Sequence, residues 1–267
     1  LKEHFGGAPF FSWEEGARRR ERAYLRDFAE ANREKLAYRY FMQYVFDRQL
    51  SSLRAYLAAR GITLLGDIPF YVAPDSADVW AHPELFSLTA RGRVRLAAGV
   101  PPDYFSPLGQ LWGNPVYDWD AAAEDGYRWW LARLSRARRM YGALRLDHFR
   151  AFDSYYTVRL PASDARAGRW RRGPGRPFFD AVARRVPDLA LLAEDLGGVT
   201  PGVHELRRYA GIPGMRVMQF AFGAGADNAF LPHNYARETA AYLGTHDNDT
   251  TARWWSLLDA PVRAHAA

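Results

Sequence analysis

The stretch YGALRLDHF, residues 141–149, decides how this chain is read. A short apolar run is followed at once by an acid, Asp147, and by His148. The run has the length of a strand rather than of a helix. Ending a buried strand on charge is unfavourable unless the charge has a use. The pattern returns along the chain. ITLLGDIPFYV, residues 62–72, holds Asp67. LALLAEDLG, residues 189–197, ends at Glu194 and Asp195. MRVMQFAF, residues 215–222, carries Gln219, and AAYLGTHDN, residues 240–248, closes on His246 and Asp247.

Helical patterns lie between these strands. Residues 127–140 set Trp130 and Leu134 at i, i+4. Residues 177–186 open on a proline, and Thr200-Pro201 reads as an N-cap followed by a first-turn proline, with Gly211 as the stop. Strand, helix, strand at this spacing predicts parallel βαβ units. A doubly wound sheet and a (β/α)8 barrel both fit. Polar residues at the C-terminal ends of all these strands favour the barrel, whose active sites sit there. No glycine-rich phosphate loop follows a strand, and GAGADN at 223–228 is only a partial match. The expected fold is therefore α/β, with a (β/α)8 TIM barrel favoured and a helical insertion. Residues 1–60 form a loop and a helical segment leading into the barrel, and 61–267 carry the barrel strands.

The helical segment is expected over residues 18–60. Tyr38, Phe41, Val45, Leu50, Leu53 and Leu57 approximate an apolar face, and Gly61 stops it. The 267 residues are 48% apolar and 25% charged, enough for a substantial core in a soluble globular protein. No cysteine is present, which excludes disulfides and thiolate metal sites and is compatible with a reducing compartment. No apolar stretch reaches the roughly 18 residues of a membrane span. The formal charge is +6, but it is scattered among arginines, since only Lys2 and Lys35 are lysines. With no nucleic-acid motif beside it, that charge predicts no nucleic-acid partner. The dense patch RWRRGPGR, residues 169–176, reads as a surface loop. The chain starts at Leu1 rather than Met and shows no signal peptide, and it reads as an internal fragment.

Asp147, Glu194 and Asp247 share one position, just past an apolar strand. In a barrel they converge on one mouth. Like charges repel there and desolvation disfavours ionisation, so one carboxyl is expected to have a raised pKa and act as an acid. Two carboxyl groups flanking a bond are what glycoside cleavage needs. Metal binding is the competing use. DND at 247–249 opens like a calcium loop, but the sixth and twelfth positions are Ala252 and Leu258 instead of glycine and glutamate. His148, His246 and Asp247 lack the HxH or HExxH spacing of a zinc site and read better as ligand-contacting groups.

The segment PPDYFSPLGQLWGNPVYDW, residues 101–119, reads as a long substrate loop over 100–120. It is expected to expose Tyr104, Phe105, Trp112 and Tyr117 among Asp103, Gln110 and Asn114. Aromatic faces pack on sugar rings while amides and carboxylates bind hydroxyls. The high aromatic content, 15% with nine tryptophans, suits ligand stacking and a large core equally.

GDIPFYV, the 101–119 segment, RLDHFR, AEDLG and GTHDNDTT resemble, in order, the signature segments of the 4-α-glucanotransferases. This is the amylomaltase or disproportionating-enzyme family, related to the α-amylases. The resemblance runs from the helical region before Gly61 to Trp255. It implies a cytoplasmic retaining enzyme acting on maltooligosaccharides and other α-1,4-glucans, with no metal or organic cofactor and no membrane partner. By motif, Asp147 takes the place of the nucleophile, Glu194 of the general acid/base, and Asp247 of a third acid gripping sugar hydroxyls. Arg145, His148 and His246 take flanking sugar-contacting positions. Asp67, Tyr71, Asp103, Gln110, Trp112, Asn114 and Gln219 lie on substrate-binding segments. Asp249 reads as a loop brace. The strands present look like the third to the seventh, and a barrel lacking three strands leaves unpaired edges. The chain by itself is therefore expected to be poorly stable or inactive. A plain α-glucan hydrolase, using the same acids, and a non-catalytic glucan-binding fragment remain open.

Overall fold

The structure is a computed structural model and describes residues 1–103 and 106–266. Tyr104 and Phe105, assigned above to the substrate loop, lie outside the described residues.

The single helix expected over 18–60 is three helices. These are α1 (Glu15–Arg18), α2 (Arg22–Ala31) and α3 (Arg33–Ala58). Arg20 takes a left-handed φ of 58°, which ends α1. Asn32, with φ −119° and ψ 26°, separates α2 from α3, and asparagine favours such breaks. Gly61, at φ 69°, closes the segment as expected. The apolar face of α3 is only partly packed. Val45, Leu50 and Leu57 are half-buried, Tyr38, Phe41 and Leu53 are exposed, and no residue of α3 is fully buried. The helix meets the body at several points: Arg39 pairs with Glu3, Arg136 bonds Asp47 at 2.7 Å, and Arg54 donates to the Arg139 carbonyl.

The chain then runs β1 (Leu65–Ile68), α4 (Ala77–Ala81), β2 (Leu96–Val100), β3 (Gln110–Pro115), α5 (Trp119–Glu124) and α6 (Arg128–Met140). It continues with β4 (Ala143–Leu146), β5 (Ser154–Arg159), β6 (Arg169–Arg172), α7 (Gly175–Arg185), β7 (Ala190–Ala193) and α8 (Pro201–Tyr209). The last elements are β8 (Gly214–Val217), β9 (Thr239–Tyr242), α9 (Thr251–Leu257) and α10 (Ala260–Ala266). Among the described residues no helix is long and apolar enough to cross a membrane.

The five anticipated strands form and pair in parallel, but in two groups. One sheet has the order β1-β4-β7 and a second pairs β8 with β9. Between β7 and β8 there is no ladder, only a bond from Ala193 N–H to the Pro213 carbonyl at 2.9 Å. The barrel is not closed, and the outer edges of β1 and β9 carry no strand among the described residues.

A four-stranded antiparallel sheet, β3-β2-β5-β6, was not anticipated. It corrects two readings. Residues 110–115 of the supposed loop are strand β3, and Arg169–Arg172 of the supposed surface loop are strand β6. All four residues of β6 are exposed, and charge on an edge strand is how a sheet protects its rim. Gly99 permits the register, because a Cβ there would lie 2.3 Å from the Gln110 carbonyl oxygen.

A large aromatic cluster fills the core. The Phe152 ring lies 4.8 Å from Phe70, 4.9 Å from Phe178 and 5.6 Å from Trp130, centroid to centroid. Trp130 and Leu134 face this cluster from α6, as their spacing implied. Burying each such ring contributes roughly 1.5–3 kcal/mol. Tyr117, expected on the surface, is buried here and its hydroxyl donates to the Phe70 carbonyl at 2.7 Å.

Candidate active site

Strand alternation builds the site. Asp67 of β1 and Arg145 of β4 are register partners, so both project from the same sheet face. Their neighbours Ile68, Leu144 and Leu146 point the other way and are buried. Arg145 is itself nearly covered and reaches three acids. Its guanidinium bonds Asp67 at 2.7 Å, lies 3.0 Å from Asp147 and 3.9 Å from Asp247.

The parallel ladder continues one step past the strands. Asp147 N–H donates to the Ile68 carbonyl at 3.1 Å, and Glu194 N–H to the Leu146 carbonyl at 3.0 Å. Both acids are thus placed by backbone bonds rather than by free loops. His148 then adopts φ 49°, a left-handed conformation uncommon outside glycine. That turn aims its N–H at the Glu194 carboxylate, 2.9 Å from Oε2, while Leu196 N–H reaches Oε1 at 3.2 Å.

These side chains surround one cavity of about 380 Å³. Asp147, Glu194, Asp247 and Arg145 line it together with Pro69, Tyr71, Trp112, Asn114 and His148. The wall is aromatic: Trp112 meets His148 edge-on at 4.9 Å and Tyr71 at 6.0 Å. The Tyr71 hydroxyl is buried with no hydrogen-bond partner among the described residues. Asn114 donates to the Val72 carbonyl at 2.9 Å, which fixes its carbamoyl group.

The two central carboxyl groups are tuned by this setting. Burial, then the neighbouring Asp147 charge, pushes Glu194 up to about 7, against the pull of Arg145 and the two backbone N–H groups. Burial also raises Asp147, but the Arg145 guanidinium opposes the rise. Near neutral pH Glu194 is therefore poised between acid and base. Burial, then the Arg150 charge, lowers His148 to about 4, so its imidazole is neutral.

Other expected residues stand beside the cavity and brace it. Gln110 accepts from Trp112 Nε1 at 3.0 Å, and Asp67 holds Arg145. His246 sits 3.4 Å from Asp247 and 4.0 Å from Asp67. Gln219 lies in the single turn Met218–Phe220 after β8 and donates to the Asp249 carbonyl at 2.9 Å, supporting the 243–251 loop. Asp249 braces that loop through Arg253 at 3.1 Å. Asp103 is not brought to the cavity; its carboxylate accepts from Ser106 N–H at 2.7 Å and shapes a turn. Among the described residues no three His, Asp or Glu side chains are set to hold a metal ion.

Two contributors escaped the sequence reading. Pro69, inside GDIPFYV, lines the cavity, but its ring carries no chemical signal. Asn248 organises the 243–251 loop, accepting from Thr245 N–H at 3.0 Å and from its hydroxyl at 2.9 Å. Its signal in the sequence is the Asx-turn propensity of asparagine, set between two acids.

Fold and site together define an α/β protein that gathers tuned carboxyl groups at the C-terminal ends of parallel strands. Comparison makes the class particular. A family model described as 4-alpha-glucanotransferase matches residues 1–266, and the chain belongs to that family. It is 46% identical over 269 residues to the 4-alpha-glucanotransferase of Thermus thermophilus, covering 100% of this chain and 54% of the relative. It is 44% identical to the chloroplastic/amyloplastic enzyme DPE1 of Arabidopsis thaliana over 96% of this chain and 45% of the relative. The structure of amylomaltase from Streptococcus agalactiae in complex with acarbose superposes with a TM-score of 0.95 at 38% identity, over 99% of this chain and 54% of that one. The chain thus spans about half the length of the relatives it matches.

Proposed function

We propose that this chain carries the catalytic centre of a 4-α-glucanotransferase, which moves α-1,4-glucan segments between maltooligosaccharides with retention. In this reading β1, β4, β7, β8 and β9 are consecutive staves of a (β/α)8 barrel, and further strands take the open edges of β1 and β9. The absence of cysteine suits a reducing compartment such as the cytoplasm.

One observation carries the reading. Two carboxyl groups share a cavity, and one of them, Glu194, is held at about 7 while the other has a cation at 3.0 Å. That is the division of labour a retaining mechanism requires. Asp147, ionised, attacks the anomeric carbon. The glycosidic bond breaks toward its oxygen, which takes the proton of Glu194. The product is a glucosyl ester on Asp147. Glu194, now a carboxylate, removes the proton from the 4-hydroxyl of an acceptor glucan, which displaces Asp147 and restores both groups. Asp247 grips ring hydroxyls, and Trp112 and Tyr71 offer faces to the sugars. The acarbose complex of the relative supports an α-glucan as the occupant.

The test is incubation of the intact protein with maltotriose. Transfer gives glucose beside longer oligomers, whereas hydrolysis gives no product longer than the substrate. Asp147→Asn and Glu194→Gln are each expected to lower the rate by about 10³-fold or more with folding preserved. Near-normal turnover in either variant refutes the assignment, and products confined to shorter sugars would make the protein a hydrolase.

A further inference from the structure

Asp195 follows the acid/base directly but faces the opposite way. Glu194 points into the cavity, while the Asp195 side chain is fully buried between β7, β8 and α8. This is the seam where the strand ladder is interrupted. Ala193 N–H still reaches the Pro213 carbonyl at 2.9 Å. The next available donor on β8, Met215 N–H, finds no β7 carbonyl and donates instead to Asp195 Oδ1 at 2.7 Å. A side-chain carboxylate stands in for a strand backbone.

Two cations stand at ion-pair distance from that carboxylate. Arg207 Nε of α8 lies 3.2 Å from Oδ2, with neither atom making a hydrogen bond among the described residues, and Arg216 of β8 lies 3.5 Å from Oδ1. Gly214 leaves room for it, since a Cβ there would come within 2.5 Å of Oδ2. The carboxylate therefore joins three elements through one buried point.

We propose that Asp195 is a positioning residue that locks Glu194, and with it the β1-β4-β7 sheet, in register with the β8-β9 sheet that carries Asp247. The inference rests on the reading of Glu194 as the acid/base. The alternative is a purely structural ion pair. It differs in consequence, because only positioning links Asp195 to the state of its neighbour. The charged and polar groups that face Glu194 are Asp147 and Arg145 from β4, the N–H groups of His148 and Leu196, and Asp247 across the cavity. Those that face Asp195 are Arg207 and Arg216. Asp195 is thus linked to Glu194 through the backbone the two residues share and through its bond to Met215 N–H.

Two variants of the intact protein separate the cases. Asp195→Ala removes the link, and Gly214→Ala keeps every charge but drives a methyl group against the carboxylate. Each is expected to lower kcat for maltotriose transfer by about tenfold or more while KM stays within about twofold, since small displacements of a reacting group are expensive. Titration of the 13C-labelled Glu194 carboxyl, assigned by its loss in Glu194→Gln, should move by about half a pH unit or more in both. Unchanged titration with wild-type kcat per folded molecule overturns the proposal. So does activity lost only in proportion to unfolded protein. The titration needs no turnover, so a wild type without transfer activity would end the functional reading and leave this one testable.

Discussion

Of the three sheets that line the cavity, the two parallel ones are built to different standards. Around β1-β4-β7 the rings of Phe70, Trp130, Phe152 and Phe178 interlock, and Asp147 and Glu194 hang from ladder bonds. Beyond Leu231 no described residue is buried, and Asp247 stands 65% exposed on a loop of its own hydrogen bonds. Asp147 and Glu194 are thus fixed by a core, and Asp247 is fixed by local contacts and Arg145. On the proposed reading, an aligned nucleophile and proton donor repay rigid placement, while a group that grips hydroxyls can sit on a more yielding support.

Stability is where the two regions should diverge most. Phe152→Ala removes a ring packed on Phe70, Trp130 and Phe178 and is expected to cost about 3–5 kcal/mol, read by denaturant or thermal unfolding. Leu257→Ala, on exposed α9, is expected to stay within about 0.5 kcal/mol. A cost of about 2 kcal/mol or more for Leu257→Ala in the intact protein would show that other polypeptide covers α9, and the contrast would disappear.

The pH profile tests the same contrast in the site. On the reading above, kcat/KM rises as Asp147 loses its proton and falls as Glu194 loses its own, near pH 7. Arg145 lowers both groups, so its removal raises both. Arg145→Gln is expected to move both limbs to higher pH by about one unit, so that the relative rate falls on the acid side and persists further on the alkaline side. Asp247 adds only the last of the pushes on Asp147, so Asp247→Asn should shift the acid limb slightly downward. Equal shifts from the two variants would mean that the loop acid is as closely coupled as the core cation.

Legibility in the sequence followed the same division. Apolar runs ending in Asp147 and Glu194 were plain because strand period and chemistry coincide there, and the helix with Trp130 and Leu134 packs where its period places it. Exposure of Tyr117 was misjudged because its surroundings of proline and glycine read as surface, whereas its hydroxyl closes a buried bond to Phe70. β6 was hidden because RWRR has the composition of a loop, and only its pairing partner β5 makes it a strand. α3 shows the reverse failure: its apolar spacing is real, but nothing among the described residues covers Tyr38 or Phe41. Period reports which face is apolar and not whether a partner is present. Asp195 was visible as an acid, yet its burial depends on Arg207 and Arg216 arriving from elsewhere.

The smallest expected effect belongs to Gln219, and it measures how yielding the second support is. Its amide donates to the Asp249 carbonyl at 2.9 Å and ties the 243–251 loop to the turn after β8. Within the loop Asn248 holds Thr245, and outside it Arg145 lies 3.9 Å from Asp247. Removing the Gln219 bond forfeits about 0.5–1.5 kcal/mol at most. Gln219→Ala should therefore lower kcat/KM for maltotriose by about two- to fivefold and leave the melting temperature unchanged, because the loop packs nothing into the core. The loss should fall on KM if the loop only presents Asp247 to ring hydroxyls. A larger loss confined to kcat would place Asp247 among groups that act in the transition state alone, and would require its loop to be held as firmly as the strands that carry Asp147 and Glu194.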